Sequence, residues 1–123
     1  MEYTNTVLIV DDSPMVTKVL SFMIRKAGYN IISAVDGEKA LELLDGRDID
    51  LIITDLNMPN MDGLGLIKEI RLHKYYRYMP VVLFFKDSIE EENKIMKTSG
   101  ATMLFDKNYI RDKIIPAIKK MIG

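Results

Sequence analysis

The sequence contains no cysteine. The chain therefore forms neither disulfides nor thiolate metal sites, although this absence gives only weak support for a reducing compartment. It also carries almost no net charge, because 17 basic and 18 acidic residues leave a formal charge of −1. A broad basic surface for nucleic acid or for an anionic membrane is therefore not expected, and function must come from a local site.

Long hydrophobic runs are missing as well. The longest are of strand length, far short of the roughly 20 residues of a membrane span, and the N-terminus lacks the basic and apolar regions of a secretory signal. We therefore expect a soluble, cytoplasmic protein. Because 48% of the 123 residues are hydrophobic, we expect residues 1–123 to form a single domain with one buried core and no fused output domain.

Short apolar runs alternate along the chain with segments whose apolar residues recur at helical spacing. This alternation is typical of repeated strand–helix units and predicts five of them. The strands are expected at about residues 5–10, 30–35, 50–54, 81–85 and 101–106. Runs such as Val7 to Val10 are apolar on both faces, which indicates a sheet covered by helices on both sides. The predicted fold class is α/β, a doubly wound parallel sheet in a three-layer sandwich.

Several helix boundaries carry their own sequence signals. These are Ser13 as N-cap followed by Pro14, Gly28 at the exit of the first helix, Asp36 as the second N-cap, and Ser88 with Glu91 as a capping box. Pro116 conflicts with the last helical segment, because proline removes a backbone donor and clashes with the preceding turn. We expect the last regular helix to begin late, or to bend, near this residue.

Acidic residues close two of the predicted strands. Asp11 and Asp12 follow the first strand, and Asp55 follows the third. In an open α/β sheet ligands bind beyond the carboxyl ends of the strands, so these three carboxylates are expected to share one pocket. Their mutual repulsion requires a cation or a raised pKa. Magnesium prefers oxygen ligands and commonly joins carboxylates to a phosphate, so the sequence predicts a Mg²⁺ site that receives a phosphoryl group.

A carboxylate can itself act as a nucleophile and form an acyl phosphate. Magnesium and a lysine then neutralise the charge on the transferring group. Asp55 is the predicted phosphoacceptor. Lys107 follows the fifth strand and is predicted to contact a phosphoryl oxygen, a role that suits a compact charge on a flexible stem.

These residues, together with the stretch Met58–Gly63, resemble the receiver domain of two-component response regulators. The resemblance spans essentially the whole chain, whose size is similar to that of single-domain chemotaxis regulators. It implies a flavodoxin-like (βα)5 fold with strand order 2-1-3-4-5. It also implies a stand-alone response regulator in phosphorelay signalling. In that role Asp55 accepts a phosphoryl group from the phosphohistidine of a sensor histidine kinase or phosphotransfer protein.

The resemblance further implies how the metal is held. Asp12 and Asp55 would bind Mg²⁺ directly, Asp11 mostly through water, and Asn57 through its backbone carbonyl. The protein would be a signalling protein and not an enzyme, although it catalyses its own phosphorylation and dephosphorylation. It would reach a separate target through the face formed by the fourth helix, fifth strand and fifth helix, as a monomer or a weak homodimer.

Four positions depart from the family pattern. Phe85 stands where the family has a Thr or Ser that bonds the phosphoryl group, and Lys86 stands where a small residue is usual. Leu104 replaces the aromatic residue of the fifth strand, and Asn108 replaces the proline after Lys107. We expect a trans peptide before Asn108 and a rearranged loop, because a cis bond there costs roughly 3 kcal/mol.

These departures leave two alternatives open. Lys86 either contacts the phosphoryl group or pairs with Asp55 and mimics the neutralised state. At the level of function, the alternative to a phosphorylated receiver is a degenerate receiver-like interaction module that signals without phosphate. Phe85 and Lys86 favour the module, whereas the intact acidic set and Lys107 favour the receiver. Asp62 and Gly63 are interpreted as structural residues.

Overall fold

A five-stranded parallel sheet forms the centre of the molecule, in the order β2-β1-β3-β4-β5. The computed structural model describes residues 4–85, 94 and 99–123. The strands are β1 (Thr6–Val10), β2 (Asn30–Ala34), β3 (Leu51–Asp55), β4 (Val81–Phe85) and β5 (Met103–Asp106). The predicted fold class, strand positions and strand order are confirmed.

Four helices are described, namely α1 (Pro14–Lys26), α2 (Gly37–Leu43), α3 (Gly63–Leu72) and a C-terminal helix (Ile110–Ile122). Both predicted N-caps are confirmed, because Ser13 accepts from Val16 N at 3.3 Å and Asp36 accepts from Lys39 N at 2.9 Å. The capping box predicted for the fourth helix lies outside the described residues. In the described part of the chain, no helix combines the length and the hydropathy that a membrane span needs.

The C-terminal helix corrects one prediction, because it does not begin late but runs from Ile110 through Pro116. Proline inside a helix costs about 3 kcal/mol. Ile114 and Ile118, on either side of it, are fully buried, and burying two such side chains contributes a comparable amount. Tertiary packing therefore overrides the local preference of the proline. The peptide bond between Lys107 and Asn108 is trans, as predicted, and residues Lys107–Tyr109 form a 3₁₀ turn.

The core is divided by the sheet into two apolar layers. One layer packs under α1 and the C-terminal helix and contains Val7, Ile9, Leu20, Ile24, Leu51, Ile53, Phe84, Ile114 and Ile118. The other packs under α2 and α3 and contains Leu8, Val10, Ala40, Ile52, Leu66, Ile67, Ile70, Leu83 and Phe85. Alternate residues of each strand enter opposite layers, as the pleat requires.

At the amino ends of the strands, Arg71 forms hydrogen bonds with the segments that precede β4 and β5. Its guanidinium donates to the carbonyl oxygens of Arg77 and Met79, at 2.9 and 2.7 Å, and to that of Gly100. Tyr76 is buried nearby and donates its hydroxyl to Arg47 O at 2.6 Å.

Candidate functional site

Three carboxylates meet at the carboxyl edge of the sheet. Val10 of β1 pairs in register with Thr54 of β3, so the residues that follow each of them emerge side by side. The carboxylates of Asp11, Asp12 and Asp55 offer oxygen atoms within 4.8 Å of one another. The structure therefore brings together all three acidic residues that the sequence singled out. This set of hard oxygen donors is suited to a divalent cation.

Asp11 supplies the observation that points most directly to a cation. The residue is buried, with its Oδ1 accepting from Ser13 N at 2.8 Å. Its Oδ2 is also buried and has no hydrogen-bond partner in the described part of the chain. Burial raises the pKa of Asp11, the Ser13 bond opposes this rise, and the charge of Asp55 adds to it. A buried carboxylate oxygen without a donor is costly, and a bound cation removes that cost.

Asp55 is oriented by two donors on the same oxygen. Its Oδ1 accepts from Lys107 Nζ at 2.8 Å and from Leu56 N at 2.9 Å. Both side chains are largely sheltered, with 27% of Lys107 and 7% of Asp55 exposed. Among the described residues, donors reach only Oδ1 of Asp55 and none reaches Oδ2. The sequence predicted that Lys107 contacts a phosphoryl oxygen, and in the structure it pairs with the carboxylate of Asp55 itself.

The loop after β3 packs tightly against Asp55. Gly63 N donates to Leu56 O at 2.8 Å, which closes the loop at its base. A Cβ on Gly63 would lie 2.3 Å from Asp55 O, so only glycine fits at this position. Asp62 caps α3 by accepting from Gly65 N at 2.7 Å. The predicted structural roles of Asp62 and Gly63 are confirmed, and Asn57 is exposed within this loop.

One feature of the site was missed by sequence reasoning, which treated Asp36 only as a helix cap. Asp36 Oδ2 also accepts from Asn60 Nδ2 at 2.9 Å. Asn60 has φ = 66° and is the only described non-glycine residue with positive φ. Asparagine after proline in a loop is a signal for such a left-handed turn, although nothing in the sequence identifies its partner.

The altered positions at the ends of β4 and β5 are apolar and packed. Phe85 is buried in the layer beneath α3, and Leu104 packs against the same layer. The phenyl ring therefore belongs to the core and provides no hydroxyl at this edge. Lys86 lies outside the described residues.

Comparison with known proteins identifies the same family. Residues 7–119 match the response regulator receiver domain. The chain is 34% identical to chemotaxis protein CheY-3 of Vibrio cholerae over 70% of this chain and 67% of that protein. It is 27% identical to the autoinducer sensor kinase/phosphatase CqsS of the same species over 89% of this chain, yet it spans only 16% of that protein's length.

Among solved structures, the response regulator TrrA of Thermotoga maritima, in complex with Mg²⁺–BeF, is 28% identical with a TM-score of 0.84. The match covers 96% of this chain and 99% of that one. The strand order, the three carboxylates at one edge of the sheet and the match over residues 7–119 all indicate the same family. The chain belongs to the response regulator receiver domain family of two-component signalling.

Proposed function

We propose that this receiver domain accepts a phosphoryl group on Asp55 in Mg²⁺-dependent phosphorelay signalling. The observation that carries the proposal is the placement of Asp55. One of its oxygens is paired with Lys107 at 2.8 Å, and its carboxylate lies beside Asp11 and Asp12. The degenerate module without phosphorylation is not favoured, because this whole set is intact.

The donor set fits magnesium. Asp12 and Asp55 would bind the ion directly, Asp11 mostly through water, and Asn57 through its backbone carbonyl. When bound, Mg²⁺ neutralises negative charge on the transferring phosphoryl group. The unpartnered Oδ2 of Asp11 supports this assignment. So does TrrA, the relative described above, which was solved with Mg²⁺–BeF.

In the proposed transfer step, Asp55 is the nucleophile. Its Oδ2 attacks the phosphorus of a phosphohistidine, a P–O bond forms, and the P–N bond breaks with its electron pair returning to the imidazole nitrogen. Lys107 already lies against the carboxylate and can move onto a phosphoryl oxygen without a large rearrangement. Preorganised charge of this kind lowers the barrier because little reorganisation is needed during the reaction.

The donor of the phosphoryl group would be a sensor histidine kinase or a phosphotransfer protein. We propose that the signal leaves through the face that includes β5 and the C-terminal helix, where Tyr109 is half exposed and packs against Lys113. Phe85 cannot donate a hydrogen bond to a phosphoryl group and Leu104 is not aromatic. The conformational response to phosphorylation must therefore differ from one in which a hydroxyl on β4 is coupled to an aromatic residue on β5.

The proposal is tested by incubating the protein with acetyl phosphate and measuring its intact mass. We expect one phosphoryl adduct in the presence of Mg²⁺ and none when a chelator removes the ion, because the acidic edge otherwise repels the anionic donor. A receiver of known activity serves as positive control. If the control is labelled and this chain is not, the proposed function is wrong.

Lys107 provides a second test, because its charge opposes any cation that binds near Asp55. The substitution Lys107→Met is expected to strengthen Mg²⁺ binding by about tenfold, since it removes a positive charge from the site. It should also slow labelling, because the phosphoryl contact is lost. Isothermal titration calorimetry and timed intact mass provide the two readouts. Lys26→Met, at the far end of α1, removes the same charge elsewhere and should change neither. Unchanged or weaker Mg²⁺ binding in Lys107→Met would contradict the prediction.

A further inference from the structure

The loop that carries Asn57 is held at its tip as well as at its base. Besides the bond from Gly63 N to Leu56 O, Met61 O accepts from Gly37 N at 3.3 Å. Gly37 is the first residue of α2, so the tip of this loop rests on the start of a neighbouring helix. A Cβ on Gly37 would lie 2.8 Å from the side chain of Met61, which shows how closely the two segments approach.

The tip has an unfavourable backbone conformation. Met61 N donates to Pro59 O at 2.7 Å across Asn60, whose φ is 66°. An i→i+2 bond around a residue with positive φ is the rarer and more strained form of the γ-turn. Such a conformation persists only where surrounding contacts determine it, although asparagine tolerates it better than most residues.

Asp36 supplies the contact that determines it. One carboxylate oxygen caps α2 through Lys39 N at 2.9 Å, and the other accepts from Asn60 Nδ2 at 2.9 Å. Asp36 is itself buried, and both of its oxygens are used. The side chain therefore links the position of α2 to the conformation of the loop.

We propose that Asp36, acting through Asn60, is a positioning residue for the Mg²⁺ site, because it holds the loop that carries the Asn57 carbonyl. This inference rests on the proposed function. Asp36 does not touch the ion or the phosphoryl group. Its effect is to keep a backbone ligand in place, as residues behind a metal ligand commonly do.

The test uses variants that separate this role from helix capping. Asn60→Gly keeps the left-handed backbone accessible and the net charge unchanged, but it removes the bond to Asp36. The double variant Asp36→Asn/Asn60→Asp exchanges donor and acceptor. It keeps both the net charge and a good N-cap for α2. Mg²⁺ affinity is measured by isothermal titration calorimetry at a temperature where every variant is fully folded.

We expect Asn60→Gly to weaken Mg²⁺ binding by about tenfold and the double variant to recover affinity to within about threefold of the unchanged protein. Equal affinity in Asn60→Gly, or a double variant as weak as Asn60→Gly, would overturn the inference. Hydrogen exchange adds a readout without metal. The Met61 amide should exchange faster in Asn60→Gly and return towards its original rate in the double variant. If the unchanged protein binds no Mg²⁺, the proposed function fails. If the Met61 amide exchanges at the same rate in Asn60→Gly, the bond between Asp36 and Asn60 does not hold the loop, and the inference is refuted on its own.

Discussion

Replacing Asp55 with asparagine is expected to abolish phosphoryl uptake completely while leaving the protein folded. The amide keeps the size of the side chain but has no anionic oxygen to attack phosphorus. The substitution removes one partner of a sheltered ion pair, which is unfavourable, and also one of three crowded carboxylates, which is favourable. Because these effects oppose each other, the fold is retained. Intact mass after incubation with acetyl phosphate and Mg²⁺ measures the loss, and circular dichroism checks the fold.

Asp62→Asn is the matched control for this experiment. Asp62 lies in the same loop region, is exposed, and caps α3 through Gly65 N at 2.7 Å. Asparagine caps helices about as well as aspartate, so labelling and stability should both be preserved. If Asp55→Asn still carried the adduct, another side chain would have to be the acceptor, and the assignment of Asp55 would be rejected.

Replacing Gly63 with alanine is expected to cause the largest loss of stability. A methyl group there would lie 2.3 Å from Asp55 O, 2.8 Å from a side-chain carbon of Leu83 and 3.1 Å from Leu56 Cα. Two of these neighbours are backbone atoms that cannot move aside without displacing the strand. Overpacking a dense site of this kind costs about 3 kcal/mol. Urea denaturation measures the free energy of unfolding.

Gly65→Ala, two residues further into the same helix, isolates the steric effect. Its methyl group would meet a carbon of the flexible Met61 side chain at 3.2 Å and Asp62 Oδ1 at 3.3 Å, and neither contact involves a backbone atom. Alanine also favours the helix by up to about 1 kcal/mol, so the net change should be small or stabilising. In Gly63→Ala the labelling of Asp55 should also slow, because the backbone of the acceptor is displaced. Equal stability of the two variants would argue against this steric account.

The sequence was sufficient to predict the sheet and the acidic edge for the same physical reason. Strands that are apolar on both faces must be covered on both sides, and parallel strands bring their carboxyl ends to one edge. That rule placed Asp11, Asp12, Asp55 and Lys107 at one edge, and the strand order implied by the family resemblance made β1 and β3 neighbours. The local signals at Ser13 and Asp36 placed two helix starts correctly because a capping bond spans only three residues.

What the sequence could not supply were contacts between segments distant along the chain. The bond between Asp36 and Asn60 joins two loops, and either residue alone reads as an ordinary cap or turn. The burial of Phe85 depends on the layer under α3, which no local pattern describes. The expected late start of the C-terminal helix at Pro116 was wrong for a related reason, because the apolar surface of the whole helix outweighs the preference of one residue.

The hydrogen bonds of Arg71 make the two ends of the sheet chemically different. A guanidinium stays charged at any physiological pH, and its acceptors at Arg77, Met79 and Gly100 are neutral carbonyls. These hydrogen bonds at the amino ends of β4 and β5 therefore involve no group that binds a divalent ion or accepts a phosphoryl group. The opposite rim carries three carboxylates and the ammonium group of Lys107. Metal binding or phosphorylation at that rim would therefore leave the hydrogen bonds of Arg71 chemically unchanged.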